Sequence, residues 1–242
     1  MISHSLLLLG LLLGQCMASL AYAGAPLVIN TILAPPLIDL KNGGLLDRTT
    51  TEAFKRAGLE LDFQPLPAQR SLLNLDAGID DGNLARVPGL EQIFPNIRMV
   101  PEKLVDFRFV AFTQNPTIEV KDWDSLQSYS VAIIHGWQIV EMNTANHKSL
   151  LKVRTAEQLF NLLQQGRVDL VVYEYSMGQT MAKSMNMKDV RVLQPDLAQR
   201  PLHLYLHKSH EPLLPLINQA LVSMKSDGAY QQIFQATMPA EQ

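Results

Sequence analysis

From residue 26 onward, short apolar runs alternate with amphipathic stretches that end in glycine. Residues 26–33 predict a first strand, stopped by Pro35-Pro36. Asn42-Gly43-Gly44 predicts a turn, and 45–57 a helix that Gly58 ends in a left-handed stop. A strand over 59–63 follows, then a helix over 68–77 closed by Gly78. Ile79-Asp80-Asp81 leads into a short strand, and apolar, aromatic 104–113 reads as another.

A second set repeats this grammar. Residues 123–126 predict a short helical piece, and 130–134 a strand ending at His135-Gly136. Thr155-Ala156-Glu157-Gln158 has the form of a capping box. The helix it opens carries Leu159, Phe160, Leu162 and Leu163 and stops at Gly166. Residues 169–173 form a continuous apolar strand, as expected for one buried on both faces. Leu75 to Asp80 resembles Leu163 to Asp169: a helix, a glycine stop, then a strand with an aspartate near its start. A spacing of about 88 residues is too long for a solenoid repeat and fits two similar α/β lobes. Strands alternating with helices predict mainly parallel sheets covered by helices. Residues 202–206 predict a further strand. Leu213, Leu216, Ile217, Ala220, Leu221 and Met224 share one helical face before Gly228, a core-facing stripe.

Composition narrows the classes. The chain has 242 residues, 47% hydrophobic and 18% charged, which excludes a disordered, collagen-like or coiled-coil protein. That length allows one large domain or two small ones. A net charge of −3 and 7% aromatics argue against nucleic acid and against a basic membrane-surface protein. Residues 1–23 carry no Asp, Glu, Lys or Arg; Leu6 to Leu13 fits a signal-peptide core, and Ala21-Tyr22-Ala23 a cleavage site. The n-region has His4 but no Lys or Arg, so an uncleaved anchor is the competing reading. The single cysteine, Cys16, falls in this leader, preceded by Gln15 where a lipoprotein signal needs a small residue. One cysteine excludes an internal disulfide, a CxxC pair and a cysteine zinc site. No later apolar run approaches the roughly 20 residues that cross a bilayer. A soluble, periplasmic product starting near Gly24 is expected.

Three segments then carry a family likeness: 122–136, 155–174, and 212–234 with its Lys225-Ser-Asp-Gly-Ala-Tyr230. In their order and spacing, the chain resembles the periplasmic solute-binding proteins of family 3, which serve amino-acid-type ABC importers. The resemblance implies an α/β fold of two lobes, the type 2 periplasmic-binding-protein-like fold. Each lobe would be a mostly parallel sheet flanked by helices, with a double hinge crossover. Lobe I would be 24–112 plus 203–242 and lobe II 113–202, the hinge lying at 109–113 and 201–204. It further implies a monomer that closes on a small polar ligand without cofactor or metal and presents it to an ABC permease or a membrane sensor.

The same resemblance nominates ligand residues. Similar amino-acid binders fork an arginine after the third strand onto the ligand carboxylate. Asp81-Gly82-Asn83-Leu84-Ala85-Arg86 occupies that region, which nominates Arg86 and Asn83, although the usual Thr-x-x-Arg signature is missing. Arg70, near the start of the second helix, is a second cation; an exposed helix arginine is its alternative. Relatives hold the ligand ammonium with an aspartate five residues after the aspartate of the lobe II strand; counted from Asp169 this is Glu174. Tyr173 beside it, His135 and Trp137 after a strand end, and Pro36 after the first strand complete the candidate lining. Core packing explains Trp137 equally well, and a surface role at the strand end explains Glu174. His203, His207 and His210 read as surface histidines, and Asp80-Asp81 as turn chemistry. There is no G-x-S-x-G, H-E-x-x-H, P-loop or G-x-G-x-x-G. Binding without chemistry is therefore the expectation. A periplasmic cyclohexadienyl-type dehydratase, with Glu174 moving a proton, is the alternative on this fold.

Overall fold

A computed structural model describes residues 24–32 and 34–238. The expected leader, including Cys16, and Leu33 lie outside the described residues. Among those described, no helix is long and apolar enough to cross a membrane.

The first set of elements is β1 (Leu27–Thr31), α1 (Leu45–Arg56), β2 (Leu61–Pro65), α2 (Ala68–Asp76), β3 (Gly82–Arg86) and the short β4 (Ile97–Met99). The long strand β5 (Val105–Thr113) follows. The second set is β6 (Val131–Ile134), α3 (Gln138–Asn143), β7 (Leu150–Val153), α4 (Ala156–Gln164), β8 (Leu170–Glu174), α5 (Tyr175–Ser184) and β9 (Arg191–Val192). A second long strand, β10 (Ala198–His207), returns the chain to α6 (Leu214–Ser226) and α7 (Ala229–Thr237).

The strand order β2-β1-β3-β10-β5-β8-β6-β7 contains two matching triplets. β1 pairs in parallel with β2 and β3, and β6 in parallel with β7 and β8. Each triplet is flanked by an antiparallel long strand: β10 beside β3, and β5 beside β8. The expectation of mainly parallel sheets thus holds for the triplets alone. The two long strands are antiparallel because each leaves one set of elements for the other. They pair with one another from Ala198↔Phe109 to Leu202↔Val105, and this ribbon joins the two halves. Beyond it, Phe109 to Phe112 pairs with β8 inside the second half.

The sequence likeness is a structural repeat. α2 and α4 are both nine residues long and start 156 − 68 = 88 residues apart; β3 and β8 are both five residues long at the same offset. Gly78 and Gly166 both take a positive φ, 68° and 63°, which ends each helix and turns the chain into the strand. The acids that match are Asp81 and Asp169. The Asp81 amide donates to Val28 O at 2.9 Å, and its Oδ2 accepts from Val28 N at 2.8 Å. Asp169 makes the same pair of bonds to Ser130, at 2.9 and 2.8 Å. Asp80 is therefore the extra acid of the first half, and it is buried.

Apolar faces pack as the pattern predicts. α1, α6, β1 and β10 enclose a core around Leu27, Ile29, Leu46, Phe54, Leu206 and Leu221. In the second half, α4 and α5 cover one face of the sheet with Phe160 and Leu163, and Val140 of α3 lies on the other. Thr155 caps α4 by accepting from Gln158 N at 3.2 Å. The Gln158 side chain reaches one residue past the expected box and accepts from Arg154 N at 3.1 Å. α5 was not legible in the sequence: it follows β8 with no turn residue between, and the last strand residue, Glu174, is its cap. Of the histidines read as surface residues, His203 is buried at 6% exposure. It sits in the paired part of β10 and its Nδ1–H donates to Val100 O at 3.0 Å.

Candidate functional site

The carboxyl ends of β3 and β8 carry the most distinctive chemistry. At the end of β3, Arg86 is half-buried, and burial draws its guanidinium below its ordinary pKa. Its Nε donates to Asn83 Oδ1 at 2.5 Å and its Nη2 to Ser71 Oγ at 2.6 Å. Asn83 comes from the same strand and Ser71 from α2, so strand and helix together aim the side chain.

Behind Arg86 lies a chain of buried polar groups. Asn83 Nδ2 donates to Asn30 Oδ1 of β1. Asn30 Nδ2 donates to Asp80 Oδ2 at 3.0 Å and to Ser71 O at 2.9 Å. Asn74 of α2 also donates to Asp80 Oδ2, at 3.0 Å. Asn30, Asn83 and Ser71 are fully buried, and Asp80 is 4% exposed. Sequence reasoning nominated Asn83 but missed Asn30, Ser71 and the inward turn of Asp80. An asparagine inside the apolar run of β1 was the available signal.

At the end of β8, Glu174 is 3% exposed. Its Oε2 accepts from Ser176 Oγ at 2.6 Å and from Met177 N at 2.8 Å, which caps α5. Burial raises its pKa, against the pull of these bonds and of Arg108. Arg108, on β5, forks onto Asp196 at 2.7 and 3.0 Å and lies 4.2 Å over the Tyr175 ring. Tyr173 stacks on Trp137, with ring centroids 4.8 Å apart and planes 7° from parallel. Burial, with Glu174 next door, pushes the Tyr173 phenol up to about 12. Trp137 also meets Phe107 and Phe109 edge-on, at 5.7 and 5.8 Å. Both phenylalanines lie on the joining ribbon, so Trp137 ties the end of β6 to the strand that crosses between the halves.

The other nominated residues differ in exposure and partners. His135 is exposed, and its Nδ1–H donates to Glu141 Oε1 at 3.0 Å, an oxygen it shares with Lys152. Arg70 is exposed on α2 with no ion pair among the described residues. Pro36 is half-buried, and its carbonyl accepts from Leu45 N at 3.1 Å, which fastens the loop after β1 to the start of α1. The two histidines that follow His203 hold separate partners: His207 bonds Ser209 Oγ at 2.8 Å, and His210 Nε2 donates to Asp81 Oδ1 at 2.6 Å.

No family model matches this chain. A protein of Shewanella oneidensis described as uncharacterized is 22% identical over 188 residues, covering 75% of this chain and 71% of that protein. Among solved structures, the chain is similar to the GluR0 ligand-binding core complexed with L-glutamate, with a TM-score of 0.77 and 12% identity over 90% of this chain and 100% of that one. An ancestral arginine-binding protein bound to glutamine gives 0.68 and 21%, over 88% and 97%. A histidine kinase sensor domain with similarity to periplasmic binding proteins gives 0.71 and 16%, over 88% and 95%. The fold is the two-lobe periplasmic-binding-protein-like fold. The β5–β10 ribbon is its double crossover, and the carboxyl ends of β3 and β8 are where an open α/β sheet gathers a ligand.

Proposed function

We propose that this chain is a periplasmic solute-binding protein that captures a small amino acid or related carboxylate between lobe I (24–112 plus 203–242) and lobe II (113–202). The observation that carries the reading is Arg86: a half-buried guanidinium at the carboxyl end of a strand, held by Asn83 and Ser71. A guanidinium recognises a planar carboxylate by paired hydrogen bonds, an interaction strengthened as water is excluded. Trp137 and Tyr173 supply the apolar wall of the second lobe. Glu174 lies beside them, and its Oε2 already caps α5, so the reading rests recognition on Arg86 and the aromatic wall and assigns no proton transfer. Ligand that touches both lobes favours the closed arrangement, and an ABC importer reads closure. Likeness to a kinase sensor domain supports a second reading of the partner, a membrane receptor in place of a permease.

A thermal-shift screen over amino acids, carboxylates and small peptides tests the proposal. One carboxylate ligand should raise Tm with concentration, and its decarboxylated amine should not. No shift with any carboxylate at millimolar concentration would refute it, as would release of an aromatic product from a cyclohexadienyl acid. Cross-linking in membranes, with the captured protein identified as permease or receptor, separates the two partner readings.

A further inference from the structure

The half-repeat shows how unusual the polar chain behind Arg86 is. With the offset of 88, Ser71, Asp80 and Asn83 correspond to Leu159, Val168 and Val171. Strand register extends the match to β1 and β6: Asn30 lies beside Asn83 as Ala132 lies beside Val171. All four counterparts are buried and belong to the apolar core of the second half. The same fold positions therefore accept ordinary hydrophobic packing. Four buried polar groups at such positions are expensive to desolvate, and they occur in the half that carries Arg86.

Their hydrogen bonds run in one direction. An ionised carboxylate only accepts, and a guanidinium only donates. Asp80 and the Ser71 carbonyl take both amide protons that Asn30 is seen to give, so Asn30 turns its oxygen to Asn83. Asn83 then spends its amide nitrogen on Asn30 and presents its oxygen to Arg86 Nε. With the amides fixed, the guanidinium is held by Nε on one side and by Ser71 on the other.

We infer that Asp80, Asn30 and Asn83 are positioning residues, a polarised hydrogen-bond chain that fixes the Arg86 guanidinium and gives this lobe its selectivity for a carboxylate. Of this chain of residues, Arg86 alone would touch ligand. Asp80 acts through two carboxamides, without ligand contact. The inference rests on the proposed binding role for its effect on selectivity, but the geometry has a readout that needs no ligand.

Two measurements test it on the purified protein and on Asn83→Val, Asp80→Val and Asp80→Asn. The first is the Arg86 Nε–H resonance of ligand-free, 15N-labelled protein, assigned by its loss in Arg86→Lys. It should be sharp in the parent, displaced or lost to water exchange in both valine variants, and retained in Asp80→Asn, which keeps an acceptor oxygen. The second is the affinity ratio between the carboxylate ligand from the screen and its primary carboxamide. This ratio should fall about tenfold in the valine variants and largely recover in Asp80→Asn. General loosening of the fold would weaken both compounds alike and leave the ratio unchanged. Should a single variant not fold, the combined Ser71→Leu, Asn30→Ala, Asp80→Val, Asn83→Val chain replaces it, using residues that the other half already packs. An unmoved resonance, or an unmoved ratio, overturns the inference. If the parent binds no carboxylate, the binding role falls and the resonance alone decides the positioning.

Discussion

Arg86 and Glu174 stand at the same place in the two half-repeats, the last residue of β3 and the last residue of β8, 174 − 86 = 88 positions apart. One is a base and the other an acid, and they are held differently. Arg86 donates to Asn83 and Ser71, whereas Glu174 turns onto the first turn of the helix that follows it. The repeat thus places a basic and an acidic side chain at corresponding strand ends of the two halves.

Arg86→Ala should weaken binding of the carboxylate ligand by about 2–4 kcal/mol, because the ligand anion loses its charged hydrogen-bond partner in a partly buried site. Arg86→Lys should recover little of this, since an ammonium does not reproduce the fork. Isothermal calorimetry on the three proteins checks both statements. Unchanged affinity in Arg86→Ala would remove this residue from the site.

Glu174 makes stability depend on pH in a definite direction. Its folded pKa lies above the ordinary value of 4.5 because burial outweighs the stabilising bonds. The folded state therefore keeps the proton longer than the unfolded chain does. The group's contribution is fully present below the unfolded value and is lost as pH rises through the raised folded value. Glu174→Gln keeps a capping oxygen but cannot ionise. The Tm of the parent relative to this variant should rise as pH is lowered from 8 towards 4.5, measured by calorimetry in matched buffers. Glu174→Ala should lose the cap as well, at a cost of about 1 kcal/mol in helix stability.

Gly178, inside α5, sits directly against the Phe112 ring, and a Cβ there would overlap it. Phe112 is fully buried and meets Phe160 edge-on at 5.3 Å, so it has no open direction in which to yield. Gly178→Ala should destabilise the protein by about 1–3 kcal/mol despite alanine's better helix propensity. Urea denaturation reads this as a lower midpoint with an unchanged slope. Gly178→Ala with Phe112→Leu should regain part of the loss.

Trp137 should report closure. The chain has two tryptophans, and Trp123→Phe leaves Trp137 alone against Tyr173, Phe107 and Phe109. Because these partners come from β8 and from the strand that crosses between the halves, a hinge movement changes the indole environment. Ligand should shift the emission of Trp123→Phe with the same concentration dependence as its Tm. An emission spectrum indifferent to a ligand that raises Tm would show that the movement spares this cluster.

Much of the architecture is local and therefore readable along the chain. Glycines end α1, α2 and α4 where expected, because each helix stop needs a positive φ that glycine adopts without strain. The apolar runs of β1, β5 and β8 are strands because they must bury both faces. Spacing alone also announced the half-repeat, since both copies keep the same helix and strand lengths.

What residues do across the sheet was decided only by tertiary structure. Asp80 and Asp81 are neighbours in sequence. One seals the start of β1 as Asp169 seals β6, and the other is buried beneath β1 and polarises Asn30. Nothing local distinguishes them, because strand register determines which carboxylate meets which backbone. His203 is inside and His135 outside for the same reason: the pairing of β10 encloses one, and the end of β6 leaves the other in solvent. The amino-acid order therefore specified the elements and their repetition. The burial of polar side chains, and with it the chemistry offered at the strand ends, depends on contacts between residues far apart in the chain, and these exist only once the sheet has formed.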